Sequence, residues 1–186
     1  MSGLIKGITG VVMAGGKSSR MGSDKGLVEF DGKPLVQYTI DSLKSVCDNV
    51  LISTHNPAYS KFGLPLIADE IPDCGPIGGI YSALKASTTD QILVLACDMP
   101  FVTSETLLKL LAQNNCFECI VPRVAGKLEP LCSIYLKSLL CVIERNIRNG
   151  NFALNQLIMV SNYCLIDLDE IVADFKNFNT LDDIKR

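Results

Sequence analysis

The sequence contains a single histidine, His55, and no run of lysine or arginine. Its longest apolar stretches, such as residues 92–97, are much shorter than the roughly 18 residues that span a bilayer. Residues 1–10 lack the apolar core of a signal peptide. With 17 basic and 20 acidic residues, the net charge is -3, which provides no face for binding a polyanion. We therefore expect a cytoplasmic protein that binds neither nucleic acid nor a membrane.

Structural metal sites and disulfides are also poorly supported. The chain has 8 cysteines, and without a secretory signal we expect them to be reduced and mostly buried. Cys116 and Cys119 form one C-x-x-C pair, but no second pair follows, and one histidine cannot complete a two-cysteine, two-histidine zinc site. The pair is better explained as two small apolar residues at the junction of a helix and a strand.

The remaining composition is that of a globular enzyme. Of the 186 residues, 48% are apolar and 20% are charged, and no repeat or linker divides the chain, so we expect one domain over residues 1–186. Short β-branched runs alternate with helix-period segments, which predicts an α/β fold with a mostly parallel sheet. The predicted strands are 8–13, 49–53, 66–68, 92–96, 119–124, 132–135 and 161–166. The predicted helices begin at Pro34 and cover 78–86, 104–113, 137–149 and 152–159, with Ser104 as an N-cap and Thr180 and Asp183 as a loose capping box.

Residues 10–25 form the most informative segment, because an apolar strand is followed by glycines, hydroxyls and cations. Gly15 and Gly16 allow backbone amides to approach an anion closely, and Arg20 and Lys25 can offset the charge of outer phosphates. The segment is not a P-loop, because Val11 occupies the position of that motif's first glycine. A simple turn would explain neither Arg20 nor Lys25, so the segment predicts a phosphate-binding loop.

Asp98 follows the apolar run 92–96, and Pro100 stops that strand. In α/β proteins, ligands bind at the carboxyl ends of strands. A carboxylate there can hold Mg²⁺, which usually keeps several waters and bridges phosphate oxygens. The alternative is that Asp98 only caps a turn before the next helix.

Two further segments carry polar groups that can bind a ligand. Asp69 precedes a glycine-proline loop, and its carboxylate matches the paired N–H donors of guanine. Gly78 and Gly79 can admit a ligand at a helix N-terminus, although such glycines often only form a turn. Asn177 and Asn179 can reach a metal or a phosphate, or can act as turn and cap residues.

Taken together, the motifs at 13–25, 69, 75–79, 97–100 and 177–180 resemble those of the molybdenum cofactor guanylyltransferases over nearly the whole chain. The first motif is shared with a wider group of nucleotidyltransferases that also activate sugars. The resemblance implies a three-layer α/β/α Rossmann-like fold and transfer of GMP from Mg-GTP to the terminal phosphate of molybdenum-molybdopterin. The products would be the guanine dinucleotide cofactor and pyrophosphate, and a molybdoenzyme or a delivery protein would receive the cofactor.

The resemblance also implies roles for individual residues. Arg20, Lys25 and Asp98 would be the catalytic residues, and Asp98 and Asn179 would face Mg²⁺. Two positions depart from the family pattern, since Met13 replaces a leucine and Ser53 stands where an asparagine is usual. The asparagine's contacts could instead come from Ser53, Thr54, His55 or Asn56. The residues expected to contact GTP are Met13, Ala14, Gly15, Gly16, Lys25, Ser53, Asp69, Gly78, Gly79 and Asp98.

Three other functions remain open from the sequence. A sibling enzyme would use CTP on the same pterin, and a sugar-phosphate nucleotidyltransferase would share the first motif. A non-catalytic nucleotide-binding adaptor would retain the fold, although the presence of Arg20, Lys25 and Asp98 argues against it. The nucleotide that stabilises the protein against heat would separate the first two, and pyrophosphate release would exclude the third.

Overall fold

A computed structural model of the chain describes residues 5–15, 24–113 and 116–178. Most of its strands belong to one eight-stranded sheet, and a two-stranded hairpin lies apart from it. In chain order the strands are β1 (Ile5–Met13), β2 (Glu29–Phe30), β3 (Lys33–Pro34), β4 (Cys47–Ser53), β5 (Leu66–Ile67), β6 (Gln91–Ala96), β7 (Cys119–Val124), β8 (Lys127–Leu128), β9 (Cys132–Leu136) and β10 (Tyr163–Asp167).

Helices connect most of these strands. The α-helices are α1 (Leu35–Lys44), α2 (Pro76–Ala86), α3 (Ser104–Leu111), α4 (Leu140–Arg148) and α5 (Leu154–Met159). Short 3-10 helices cover Lys25–Leu27, Pro57–Phe62, Lys137–Leu139 and Asp169–Phe175.

The large sheet has the strand order β10-β7-β9-β6-β1-β4-β5, and β8 pairs with β7. Strand β1 lies between β4 and β6 and is parallel to both. Strand β9 is antiparallel to β6 and to β7, and β8 is antiparallel to β7. The sheet is therefore mostly parallel, as predicted, with β8 and β9 running in the opposite direction.

Strand β1 shows why both faces of the sheet are covered. Successive side chains of a strand point to opposite faces. Ile8 and Val12 are fully buried in a core that includes residues of α1 and α3. Val11 and Met13 are buried in a second core that includes residues of α2, α4 and α5. This arrangement is the three-layer α/β/α architecture that the resemblance implied.

Some local predictions differ from the structure. Thr103, not Ser104, is the N-cap of α3, because its backbone is extended and its Oγ1 accepts the N–H of Thr106 at 3.3 Å. The segment 137–149 does not begin as an α-helix, since Lys137–Leu139 forms a 3-10 turn first. The hairpin β2–β3 was not predicted, because two-residue strands are too short to show a period. The predicted capping box at residues 180 and 183 lies outside the described residues.

Candidate active site

A cleft of about 580 Å³ opens at the carboxyl ends of β1, β4 and β5. Its size is within the range of about 300–1,000 Å³ that is usual for small-molecule sites. Six of the residues predicted to bind a nucleotide line it, namely Met13, Ala14, Gly15, Ser53, Asp69 and Gly79. A separate cavity of about 660 Å³ lies near Thr9 and Lys44, and none of the predicted site residues line it.

Hydrogen bonds from both neighbouring strands position the end of β1. The N–H of Ala14 donates to Ser53 O at 3.0 Å, and Thr54 Oγ1 donates to Ala14 O at 3.1 Å. On the other side, the N–H of Cys97 donates to Met13 O at 3.1 Å. The backbone that enters the glycine-rich motif is therefore held from two sides.

Gly79, in the first turn of α2, has no side chain and so lets Met13, Ser53 and Asp69 pack closely around it. A Cβ atom there would stand 2.6 Å from Met13 Cε, 2.8 Å from Ser53 Oγ and 3.4 Å from Asp69 Oδ1. Gly78 is less directly involved, because a Cβ there would meet the carbonyl of Ile71 at 3.1 Å. Gly78 does not line the cleft, so its small size serves packing of the loop before α2.

Asp69 lies in the loop after β5, with its side chain 21% exposed beside His55. The backbone N–H of Asp69 donates to His55 Nε2 at 3.3 Å. The same Nε2 atom lies 3.7 Å from Asp69 Oδ2. Asp69 and His55 thus form a polar wall of the cleft on the side of β5.

Lys25 and Asp98 form an ion pair, although they are far apart in sequence. Lys25 Nζ lies 2.5 Å from Asp98 Oδ2, and their side chains are 15% and 20% exposed. Lys25 begins a 3-10 helix, and Asp98 follows the end of β6. Neither residue lines the cleft, but Asp24, next to Lys25, does. The pair therefore adjoins the cleft on the side of β6.

Asp24 was not predicted as a site residue, yet it holds the chain that presents Lys25. Its carboxylate accepts hydrogen bonds from Tyr59 Oη, from Asn56 Nδ2 at 2.9 Å and from the N–H of Gly26 at 3.3 Å. Tyr59 is fully buried, and burial raises the pKa of its hydroxyl, with Cys97 and Asp24 adding to the effect. The sequence gives no signal for this contact, because Asn56 and Tyr59 belong to the distant 3-10 helix after β4 and its N-cap.

The segment after the last 3-10 helix returns to the Lys25–Asp98 pair. The N–H of Phe178 donates to Asp98 O at 3.1 Å. In the preceding residue, Asn177 Oδ1 is buried and has no hydrogen-bond partner among the residues that the structure describes. Gly16, Arg20 and Asn179, the remaining predicted site residues, lie outside the described ranges.

Within residues 5–15, 24–113 and 116–178, no group of three or more histidine, cysteine, aspartate or glutamate side chains is placed to hold a metal ion. No helix in those ranges is long and apolar enough to cross a membrane.

The chain was compared with known proteins. Residues 10–159 match the family of MobA-like NTP transferase domains. A protein of Clostridium perfringens named probable molybdenum cofactor guanylyltransferase is 32% identical over 184 residues, which covers 92% of this chain and 91% of that protein.

Solved structures give the same result for the fold. Molybdopterin-guanine dinucleotide biosynthesis protein A from Archaeoglobus fulgidus is 26% identical, covers 96% of this chain and 95% of its own, and superposes with a TM-score of 0.82. A Mycobacterium tuberculosis protein in complex with manganese is 18% identical, with 97% of both chains covered and a TM-score of 0.72, and it supports the fold alone. The chain belongs to the MobA-like NTP transferase domain family and is a nucleotidyltransferase.

Proposed function

We propose that the protein transfers GMP from Mg-GTP to the terminal phosphate of molybdenum-molybdopterin, giving molybdopterin guanine dinucleotide and pyrophosphate. The observation that supports this most strongly is the Lys25–Asp98 ion pair beside a nucleotide-sized cleft that has Asp69 on its far side. The names of the relatives in Clostridium perfringens and Archaeoglobus fulgidus support the same substrates.

The cleft suggests how GTP binds. The Asp69 carboxylate can accept the ring N–H and the 2-amino N–H of guanine, and its partly buried position strengthens such bonds. The sugar and phosphates then run past Met13, Ala14 and Gly15 towards Lys25. Gly16 and Arg20, which follow Gly15 in the motif, are proposed to contact the outer phosphates.

Mg²⁺ fits the residues around Asp98. Mg²⁺ prefers oxygen ligands and is usually bound by one or two carboxylates together with substrate phosphates and water, so a three-ligand protein cluster is not required. The unpartnered, buried oxygen of Asn177 is the kind of atom that a cation or its water would satisfy. We assign the metal to Asp98, with Asn177 facing it, and the prediction that Asn179 also faces the metal stays part of the proposal. When bound, Mg²⁺ would neutralise phosphate charge and polarise the α-phosphate.

The protein's own part in the reaction is positioning and charge stabilisation. An oxygen of the acceptor phosphate attacks the α-phosphorus of GTP, the bond to the β-phosphate oxygen breaks, and the electron pair leaves with pyrophosphate. The attacking phosphate is already ionised near neutral pH, so no general base is needed. Lys25, which pairs with Asp98 in the structure, can turn to the phosphates and offset their charge in the transition state.

The test uses the purified chain with molybdenum-loaded molybdopterin, Mg²⁺ and either GTP or CTP. We expect GTP-dependent formation of the dinucleotide and pyrophosphate, and the variant Asp98→Asn should shift the Mg²⁺ dependence of the rate to higher concentration. Asp90→Asn is the matched control, because Asp90 is exposed at the opposite end of the same strand. Preference for CTP would make the enzyme a cytidylyltransferase. Failure to release pyrophosphate with any nucleotide would support the adaptor alternative.

A further inference from the structure

The order of the strands divides the site into two sides. The cleft lies at the ends of β1, β4 and β5, whereas Asp98 follows β6, the neighbour of β1 on the other side. Under the proposed function, guanine occupies the β5 side. Since the attacking and leaving oxygens lie roughly in line on phosphorus, the acceptor must approach from the remaining side, where β9 adjoins β6.

The loop between β8 and β9 lies at this edge of the sheet. Strand β9 is antiparallel to β6, and Leu95 pairs with Cys132, so β9 begins where β6 ends. The N–H of Ala96 donates to Leu131 O at 2.8 Å, which joins the loop to the chain just before Asp98. The residues before Cys132 therefore lie next to the proposed reaction centre.

Glu129 is held firmly in this loop. Its N–H donates to Pro122 O at 2.9 Å, and its carbonyl accepts the N–H of Cys132 at 3.0 Å and Ser133 Oγ at 2.8 Å. Its backbone is thus fixed by β7 and β9. The point from which its side chain extends is therefore held against the sheet.

The carboxylate of Glu129 has no evident structural use. It is half-buried, and no hydrogen bond or ion pair joins it to any residue that the structure describes. Burial raises the pKa of Glu129, nearby Lys127 opposes this effect, and the negative charge of Asp98 adds to it. A carboxylate that is partly removed from water without a protein donor costs free energy, and the N–H donors of a ligand would offset that cost.

We propose that Glu129 binds the heterocyclic ring of the acceptor and helps to select it, on the β9 side of Asp98. This inference rests on the proposed function, in which the acceptor is a molybdopterin. An ionised carboxylate only accepts hydrogen bonds and can take two parallel N–H donors. The amino-pyrimidinone ring of a pterin offers such a pair, a ring N–H beside an exocyclic amine, and charge-assisted bonds of this kind are stronger than neutral ones.

The experiment measures kinetics of Glu129→Gln with molybdenum-loaded molybdopterin and GTP, each varied separately. Glutamine keeps the shape but loses the charge and one acceptor, so the KM for molybdopterin should rise about tenfold to a hundredfold while the KM for GTP stays unchanged. Glu105→Gln is the matched control on the exposed first turn of α3, and it should behave like the unmodified protein.

A second measurement does not depend on turnover. Free pterin and 2,4-dioxopteridine, which lacks the exocyclic amine, are titrated into the protein while ring fluorescence is followed. The unmodified protein should bind pterin at least about tenfold more tightly, and Glu129→Gln should lose this preference. Glu129→Asp, which keeps the charge, should restore part of it.

The outcomes separate the two proposals. If the unmodified protein forms no dinucleotide but shows the pterin preference, the proposed reaction is wrong and the role of Glu129 stands as a binding role. If dinucleotide forms and Glu129→Gln leaves the molybdopterin KM and the pterin preference unchanged, only the role of Glu129 is overturned. A rise in both KM values together with a lower melting temperature would also overturn it, because it would indicate a structural role.

Discussion

Gly79→Ala tests whether close packing behind the cleft sets both stability and GTP binding. The added methyl would stand 2.6 Å from Met13 Cε and 2.8 Å from Ser53 Oγ, whereas carbon atoms normally approach to about 3.5–4.0 Å. Overpacking of this kind costs about 1–3 kcal/mol, and alanine regains up to about 1 kcal/mol over glycine in a helix. The net loss is therefore about 1 kcal/mol, which lowers the melting temperature by about 2–4 °C in a chain of this size.

The assay is thermal unfolding with and without Mg-GTP, together with the KM for GTP. Displacement of Ser53 and Asp69 into the cleft should raise that KM. Gly15→Ala is the contrasting variant, because the nearest described atom to its Cβ would be Ser53 O at 3.9 Å. It should keep the melting temperature and weaken only GTP binding, since the methyl would stand where the proposed function brings a phosphate close to the backbone. A melting temperature for Gly79→Ala that is equal or higher, with an unchanged KM, would refute the packing argument.

Four further outcomes are expected. Tyr59→Phe should lower the free energy of unfolding by about 1.5–3 kcal/mol, because a charge-assisted hydrogen bond to Asp24 is lost, and kcat should fall as Lys25 loses its position. Lys25→Ala should reduce kcat on the order of a hundredfold or more, measured by pyrophosphate release. Folding raises the pKa of the Glu129 carboxyl above its ordinary value of 4.5. Such a group contributes stability at pH values below 4.5, and this contribution is lost as the pH rises through the pKa of the folded state. Glu129→Gln should therefore melt no lower than the unmodified protein at neutral pH, and any gain should vanish in acid. Residues 1–186 should unfold in one calorimetric transition, as a single domain does.

Controls make these outcomes specific. Tyr163→Phe changes a half-buried tyrosine whose hydroxyl makes no hydrogen bond within the described residues, so it should cost less stability than Tyr59→Phe. Lys109→Ala removes an exposed ion pair with Glu170 and should leave kcat unchanged. Equal effects of Lys25→Ala and Lys109→Ala on kcat would reject the catalytic role of Lys25. Unchanged stability of Tyr59→Phe would reject the role of the Tyr59–Asp24 hydrogen bond in holding the segment. Two resolved calorimetric transitions would contradict the single domain.

The α/β class and the main strands were predictable, because buried parallel strands appear in the sequence as short runs of β-branched residues. Strand β7, for example, spans the predicted residues 119–124. The antiparallel orientation of β9 was not predictable, since an apolar run predicts a strand but not how that strand runs relative to its neighbours. The N-cap of α3 was placed one residue late, because serine and threonine are both good caps and only the backbone angles distinguish them.

Part of the site was also predictable. Met13 and Ser53 end strands and Asp69 follows one, and because parallel strands end at the same edge of a sheet, these three residues could be expected to lie near one another. Their contact with Gly79 was not predictable in detail, since it depends on how α2 packs on the sheet.

The sequence by itself determined the class of fold and the family, because these depend on local patterns and on the order of motifs along the chain. Only the tertiary structure decided which groups meet: Lys25 with Asp98, Asp24 with Tyr59, and Glu129 with the edge of the sheet beside Asp98. The physical reason is that these contacts join residues from separate strands and loops. Their distances follow from strand order, strand direction and helix packing, which no local pattern records.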